Sequence, residues 1–311
     1  MNFQNAKDDS ATYEEGNMLK RIITAAVGLS LFLPILFFSD KVPWLLIGVI
    51  AVLSFIAEFE LCGCFGVRKA LFISIPTYIF TLFTVGYVAF FTYFVPGKPS
   101  LAIFAAALFA YLFIVFAGTM LSNGRARFSQ AASTIASTIY VITGFSAMIL
   151  TRYTAASGGV FTFESKAGLY YLLLVFIGVW LTDTGAYFIG SAMGKHKLIP
   201  VVSPNKTVEG AIGGILGCLL GYAIYGLILK FAVGVEVNFI YLMILAVVVS
   251  VIDQIGDLIA SFMKRERGIK DFGTIFPGHG GVMDRFDSSI AVAPFIFFIV
   301  YFVNVNLFVV A

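Results

Sequence analysis

Apolar runs of about 20 residues, long enough to cross a hydrocarbon core roughly 30 Å thick, recur from one end of this chain to the other. Of its 311 residues 60% are hydrophobic and only 12% charged, whereas soluble domains are about a quarter charged. Such a chain must satisfy its backbone inside lipid. The runs are continuous and do not alternate with period two, so the spans are helices and not barrel strands. Hydropathy places nine of them, near 20–38, 43–61, 70–95, 100–121, 131–151, 168–190, 209–230, 237–260 and 288–310. The third is long enough to tilt or to break at Pro76. The expected fold is an all-α polytopic membrane protein of about nine transmembrane helices, with residues 18–311 forming one domain. Residues 1–17, MNFQNAKDDSATYEEGN, read as a polar, disordered tail. The tail is acidic, not short and basic, and no small-residue cleavage site follows the first apolar run, so that span is expected to stay in the membrane.

Orientation follows from the 20 Lys and Arg residues. Three precede the first span, two are Arg68 and Lys69, two are Arg125 and Arg127, three lie between Lys195 and Lys206, and five between Lys264 and Arg285, making 15 on the side of the N-terminus. The opposite side has five: Lys41, Lys98, Arg152, Lys166 and Lys230. The positive-inside rule makes the first side cytoplasmic. A net charge of +3 is too small to argue for a nucleic-acid partner. Cys62 and Cys64 fall at the cytoplasmic end of a span, where disulfides are not maintained, and Cys218 lies inside another, so all three are expected to pack as ordinary core residues.

Polar chemistry gathers in two stretches expected on the cytoplasmic face. The first runs from Asp183 to Gly214 and includes SPNKTVEG; the second runs from Asp253 to Asp287 and includes KRERGIKDFGTIFPGHGGVMDRFD. Asp253 and Asp257 are four residues apart, on one helix face, and two carboxylates at membrane depth repel unless a cation stands beside them. A divalent cation is one partner, with Asp284 as a further oxygen ligand. Ion pairs with Lys264, Arg265 or Arg285 are the other. Lys264, Arg265, Arg267, Lys270 and Arg285 suit phosphate, and Gly278, Gly280 and Gly281 around His279 allow close backbone approach or positive φ. Basic residues beside a membrane also anchor lipid headgroups, but anchoring alone needs neither His-Gly-Gly nor the interleaved Asp271, Asp284 and Asp287. In the first stretch, Ser203 and Thr207 stand just before an apolar span, where helix-start amides bind anions with Lys206 adding charge; simple capping would explain them equally. GSAMGKH is not a nucleotide P-loop, having one residue too few between its glycines and His196 where Ser or Thr should follow Lys195. Asp183 is an intramembrane acid and therefore a candidate for the site. His196 reads as a surface histidine.

From Ser261 to Asp287 the pattern S-x-x-K-R-x4-K-D-x-G-x3-P-G-H-G-G-x2-D-R-x-D resembles the signature of the phosphatidate cytidylyltransferase, or CDP-diacylglycerol synthase, family. DTGAYFIG, GKHKL and SPNKTVEG resemble it too, in order and spacing, so the likeness spans residues 180–290. Asn205 departs from it, standing where many members carry Lys. The resemblance implies reaction of CTP with phosphatidic acid to give CDP-diacylglycerol and pyrophosphate, with Mg²⁺ required, in a membrane-embedded homodimer. It implies Asp257 and Asp284 as metal-site carboxylates, joined in the residue-level reading by Asp253. It also implies reaction-site roles for Lys264, Arg265, Lys270, Asp271, His279 and Arg285, and a nucleotide side formed by Ser203, Lys206 and Thr207, to which Asp183, Asn205, Gly280 and Gly281 are added from position.

That chemistry suits the residues. A phosphate monoester with a second pKa of about 6 is largely ionised at neutral pH and needs no strong general base; the task is to neutralise a triphosphate and its leaving group. His279 is therefore expected to bond a phosphate oxygen. CTP comes from water and phosphatidate from the bilayer, so the site belongs at the cytoplasmic interface, in a bacterial plasma membrane. Two other classes share parts of the pattern: a CTP-dependent polyprenol kinase, which would release CDP, and an ion-coupled transporter using Asp183, Asp253 and Asp257 as relays.

Overall fold

The computed structural model describes residues 28, 30–93, 100–153, 166–276, 280–303 and 307–309. The N-terminal tail and His279 lie outside the described residues. The first helix, α1, is described over 30–38. It is followed by α2 (Pro43–Cys64), α3 (Leu71–Tyr93), α4 (Leu101–Leu121), α5 (Phe128–Tyr153) and α6 (Lys166–Met193). A hairpin of β1 (Lys197–Ile199) and β2 (Ser203–Thr207) leads into α7 (Val208–Ile228), which ends in a π-helical turn, Leu229–Val233. After β3 (Glu236–Val237) come α8 (Phe239–Glu266) and α9 (Met283–Phe298), a second π-helical turn (Ile299–Val303), and β4 (Phe308–Val309), which pairs antiparallel with β3.

Among the described residues seven helices, α2 to α8, are long and apolar enough to cross a membrane. The chain is a helical membrane protein, with two short β-pairs added to the all-α expectation. Pro76 does not break the third span, because it falls in the second turn of α3 and the helix continues through it. Four helices outrun their hydropathic limits: α2 continues to Cys64, α5 begins at Phe128, α6 continues to Met193, and α8 continues to Glu266. Polar residues at helix ends score as loop by hydropathy although their backbone remains helical. Lys264 and Arg265 therefore stand in the last turn of α8, where cations oppose the negative end of the helix dipole.

Small residues set the tightest packing. A Cβ on Gly185 of α6 would strike the Gly213 carbonyl oxygen of α7, and one on Gly217 would strike that of Leu181, so these helices meet backbone to backbone. On the other side, α5 and α8 close on α9: Gly144 admits Ile290, and Gly256 admits Ala291. The outer helices are tied by a buried polar chain in which Thr138 of α5 donates to Glu58 of α2 at 2.9 Å, and Tyr111 of α4 donates to Thr138 at 3.1 Å while lying 3.2 Å from Thr77 of α3. Helix α4 is peripheral and presents Leu101, Phe109 and Phe113 outward.

The two ends of the bundle differ in chemistry. At one, fully buried Arg152 bonds Ser39 and pairs with Asp40. The other end gathers the C-terminal ends of α2, α6 and α8, the hairpin and the start of α9, as the Lys206–Asp257 and Glu60–Val282 contacts require. Both polar stretches of the sequence converge there.

Candidate active site

One face of α8 is the spine of the site. Asp253, Asp257, Ser261 and Lys264 follow at spacings of four, four and three, so they form a single stripe. Asp253 is completely buried, and neither carboxylate oxygen has a hydrogen-bond partner. The Ser288 hydroxyl of α9 donates to its backbone carbonyl at 3.2 Å. Asp257, one turn further, pairs with Lys206 at 2.6 Å, and Lys206 Nζ also lies 3.4 Å from the Gln254 carbonyl. Ser261 reaches the other Asp257 oxygen at 3.5 Å. Asp183 lies on α6, exposed in the isolated chain and within electrostatic reach of Asp257, Lys206 and Arg285.

The hairpin delivers Lys206. Its two strands pair Lys197 with Thr207 and Ile199 with Ser203, which swings β2 against α8. Thr207 then caps α7, its hydroxyl accepting the Gly210 N–H at 3.1 Å. The Val208 N–H is taken by the His196 carbonyl at 2.9 Å, so capping accounts for Thr207 and two of the helix-start amides are already occupied. Glu209 folds back onto the Lys195 and His196 amides, and its carboxylate lies 2.6 Å from His196 Nδ1. His196 is thus exposed, as expected, but paired. Ser203 is half-buried at the head of β2, and Asn205 is exposed.

The second cluster surrounds Asp284. Its Oδ1 accepts from Lys264 Nζ at 2.9 Å, and its Oδ2 accepts the N–H groups of Phe272 at 2.8 Å and Gly281 at 2.9 Å. Lys264 also sits 5.1 Å from the centre of the Phe272 ring. Gly280 makes the turn into this cluster at φ 82°. Arg265, Lys270, Asp271 and Arg285 are exposed around it, free to approach a charged ligand.

Among the described residues no three of the His, Cys, Asp and Glu side chains converge to hold a metal ion by themselves. Mg²⁺, however, is commonly held by one or two carboxylates, with phosphate and water completing its shell. The partnerless oxygens of Asp253 beside Asp257 fit such a cation. Between α5 and α8 a groove of about 600 Å³ opens along the face of α8 turned away from this stripe, with Ile255, Ile259, Phe262 and Tyr140 in its walls.

Residues 19–303 match the family model described as the cytidylyltransferase family. The chain belongs to that family. It is 39% identical over 281 residues to a phosphatidate cytidylyltransferase of Staphylococcus epidermidis, 37% over 285 residues to one of Staphylococcus haemolyticus, and 38% over 278 residues to one of Staphylococcus aureus. In each case the alignment covers 89% of this chain and 96% of the relative.

For a cytidylyltransferase, the structure brings together Asp253, Asp257, Lys206, Lys264 and Asp284, with Asp183 alongside. It also brings in Glu60, which the sequence reading passed over. Glu60 is 2% exposed, and its two oxygens accept the N–H groups of Val282 at 3.0 Å and Met283 at 2.9 Å. A signal was present, since Glu58 and Glu60 are acids inside an apolar span.

Proposed function

We infer that the chain transfers the cytidylyl group of CTP to phosphatidic acid, giving CDP-diacylglycerol and pyrophosphate for phospholipid synthesis. The observation that carries this reading is the Lys206–Asp257 pair, which joins the hairpin to the acidic stripe of α8. It fits a family of cytidylyltransferases whose similar members are named for phosphatidate.

An ionised phosphate oxygen of phosphatidate attacks the α-phosphorus of CTP. A new P–O bond forms there, the bond to the β-phosphate bridging oxygen breaks, and pyrophosphate leaves with the electron pair. The attacking group is already an anion, so the protein supplies charge and position instead of a base. Lys206 and Lys264 are held by Asp257 and Asp284 in advance, and each can turn its ammonium group toward phosphate without searching for a rotamer. Arg265, Lys270 and Arg285 add exposed cations, and Asp271 keeps that rim from becoming a single-sign patch. Ser203, Asn205, Thr207, Gly280 and Gly281 line the nucleotide side, and His279 bonds a phosphate oxygen. Asp257, Asp253 and Asp284 are the carboxylates available to Mg²⁺, which when bound would offset the triphosphate charge.

The same reading makes the protein a homodimer in a bacterial plasma membrane, with nine spans and its N-terminus and site cytoplasmic; the 15-to-five distribution of Lys and Arg supports that orientation. The test is pyrophosphate release by purified protein given phosphatidic acid, Mg²⁺ and each nucleoside triphosphate in turn. CTP-specific, lipid-dependent release is expected, and release that ignores the lipid or the base would overturn the assignment.

A further inference from the structure

Gly273 and Gly281 of the signature loop face a side chain far outside it. A Cβ on either glycine would collide with the carboxylate of Glu60, 222 residues before Val282 in the chain. The slot between the two glycines is therefore filled by α2. Val282 supplies no side-chain cap for α9. Glu60 supplies it from another helix, accepting the N–H groups of Val282 and Met283. The preceding amide, Gly281, is taken by Asp284. Three consecutive amides at the start of α9 are thus divided between two carboxylates, one local and one from the opposite end of the chain.

A helix start beside a phosphate-handling loop is ordinarily an anion cradle. Here a protein carboxylate occupies it, which leaves the phosphates to side-chain cations. The anchored segment is also the one that carries Asp284 to Lys264, so movement of Val282 would be felt at that pair directly. Glutamate suits the task because both its oxygens accept; glutamine offers one acceptor and would turn an NH₂ group toward the second amide.

We propose that Glu60 is a positioning residue for cytidylyl transfer, which locks the start of α9 so that Asp284 and Arg285 are held in one geometry and bars phosphate from the α9 amides. The proposal rests on the transfer site assigned above. Glu60 touches no substrate, so its removal acts on the transition state through Asp284 and falls on kcat more than on KM.

The experiment uses Glu60→Gln in the full-length protein in detergent, with steady-state pyrophosphate release and hydrogen exchange over residues 280–285. We expect kcat per folded molecule to fall about ten-fold or more while KM for CTP stays within about three-fold, with faster exchange at Val282 and Met283. Combined with Asp284→Asn, the second change should cost little more than Asp284→Asn alone, because both act through one unit. A folded Glu60→Gln protein with wild-type kcat and unchanged exchange would overturn the proposal, as would losses that simply multiply in the double variant. If Glu60→Gln does not fold, Gly273→Ala crowds the same carboxylate without removing its charge; it should reproduce the kcat loss, and a wild-type rate there also overturns the idea. Should the unaltered protein fail to use CTP and phosphatidate, the functional reading is what fails, and exchange at the α9 amides still decides whether Glu60 anchors them.

Discussion

Lys206 Nζ lies 2.6 Å from Asp257 Oδ2, joining two segments of the chain that hydropathy alone leaves apart. Both side chains are partly exposed, at 26% and 32%, so the pair contributes only about 0–1 kcal/mol to stability. Its value lies in where it holds the ammonium group. Lys206→Ala should leave the unfolding temperature in detergent nearly unchanged, yet lower pyrophosphate release by about 100-fold, the scale of losing one well-placed charge-stabilising group. Equal losses in stability and rate would show that the pair is structural.

The Lys264–Asp284 pair is the contrasting case, with side chains 12% and 3% exposed. Removing one member of a buried pair leaves the other uncompensated and costs roughly 3 kcal/mol or more. Asp284→Asn should therefore lower both thermal stability and activity. Asp284→Asn with Lys264→Met should recover part of the stability and none of the activity, as read by unfolding curves beside the rate assay.

Asp253 gives a prediction of the opposite sign. Its buried oxygens have no hydrogen-bond partner, so Asp253→Asn removes an uncompensated acid and should not destabilise the fold. If the oxygens face Mg²⁺ in the working enzyme, the Mg²⁺ concentration for half-maximal rate should rise about ten-fold. A titration of rate against Mg²⁺ that superimposes on the wild-type curve would remove Asp253 from the ion's surroundings.

At the α6–α7 seam, Gly185→Ala forces a methyl group against the backbone of Gly213, which has no side chain to move aside. The expected cost is about 1–3 kcal/mol, measured as a lower melting temperature in detergent. Gly48→Ala is the control, since nothing lies within 4 Å of the added carbon, and it should be neutral.

Helix existence was legible because each span must bury a continuous apolar run, and that signal is local. Helix ends were less so: Lys264 and Arg265 are polar enough to read as loop, although the backbone hydrogen bonds of α8 continue through them. The β1–β2 hairpin escaped notice because its strands are short and polar and lack alternation. Asp257, Lys264 and Asp284 could be singled out from spacing and charge within one stretch. Their partners were harder. Lys206 was expected to meet phosphate, and its carboxylate neighbour lies in another segment. Glu60 was missed because its partners are backbone amides 222 and 223 residues away, and a backbone amide has no letter in a sequence.

The glycine seam between α6 and α7 also decides where the enzyme cannot give way. Two helices in direct backbone contact cannot slide without opening a void, so they act as one stiff plate, with Asp183 on its face and the hairpin on its rim. The start of α9 is pinned as well, by Glu60 on the Val282 and Met283 amides and by Asp284 on those of Phe272 and Gly281, so plate and helix start together form a mould that is cast before any substrate arrives.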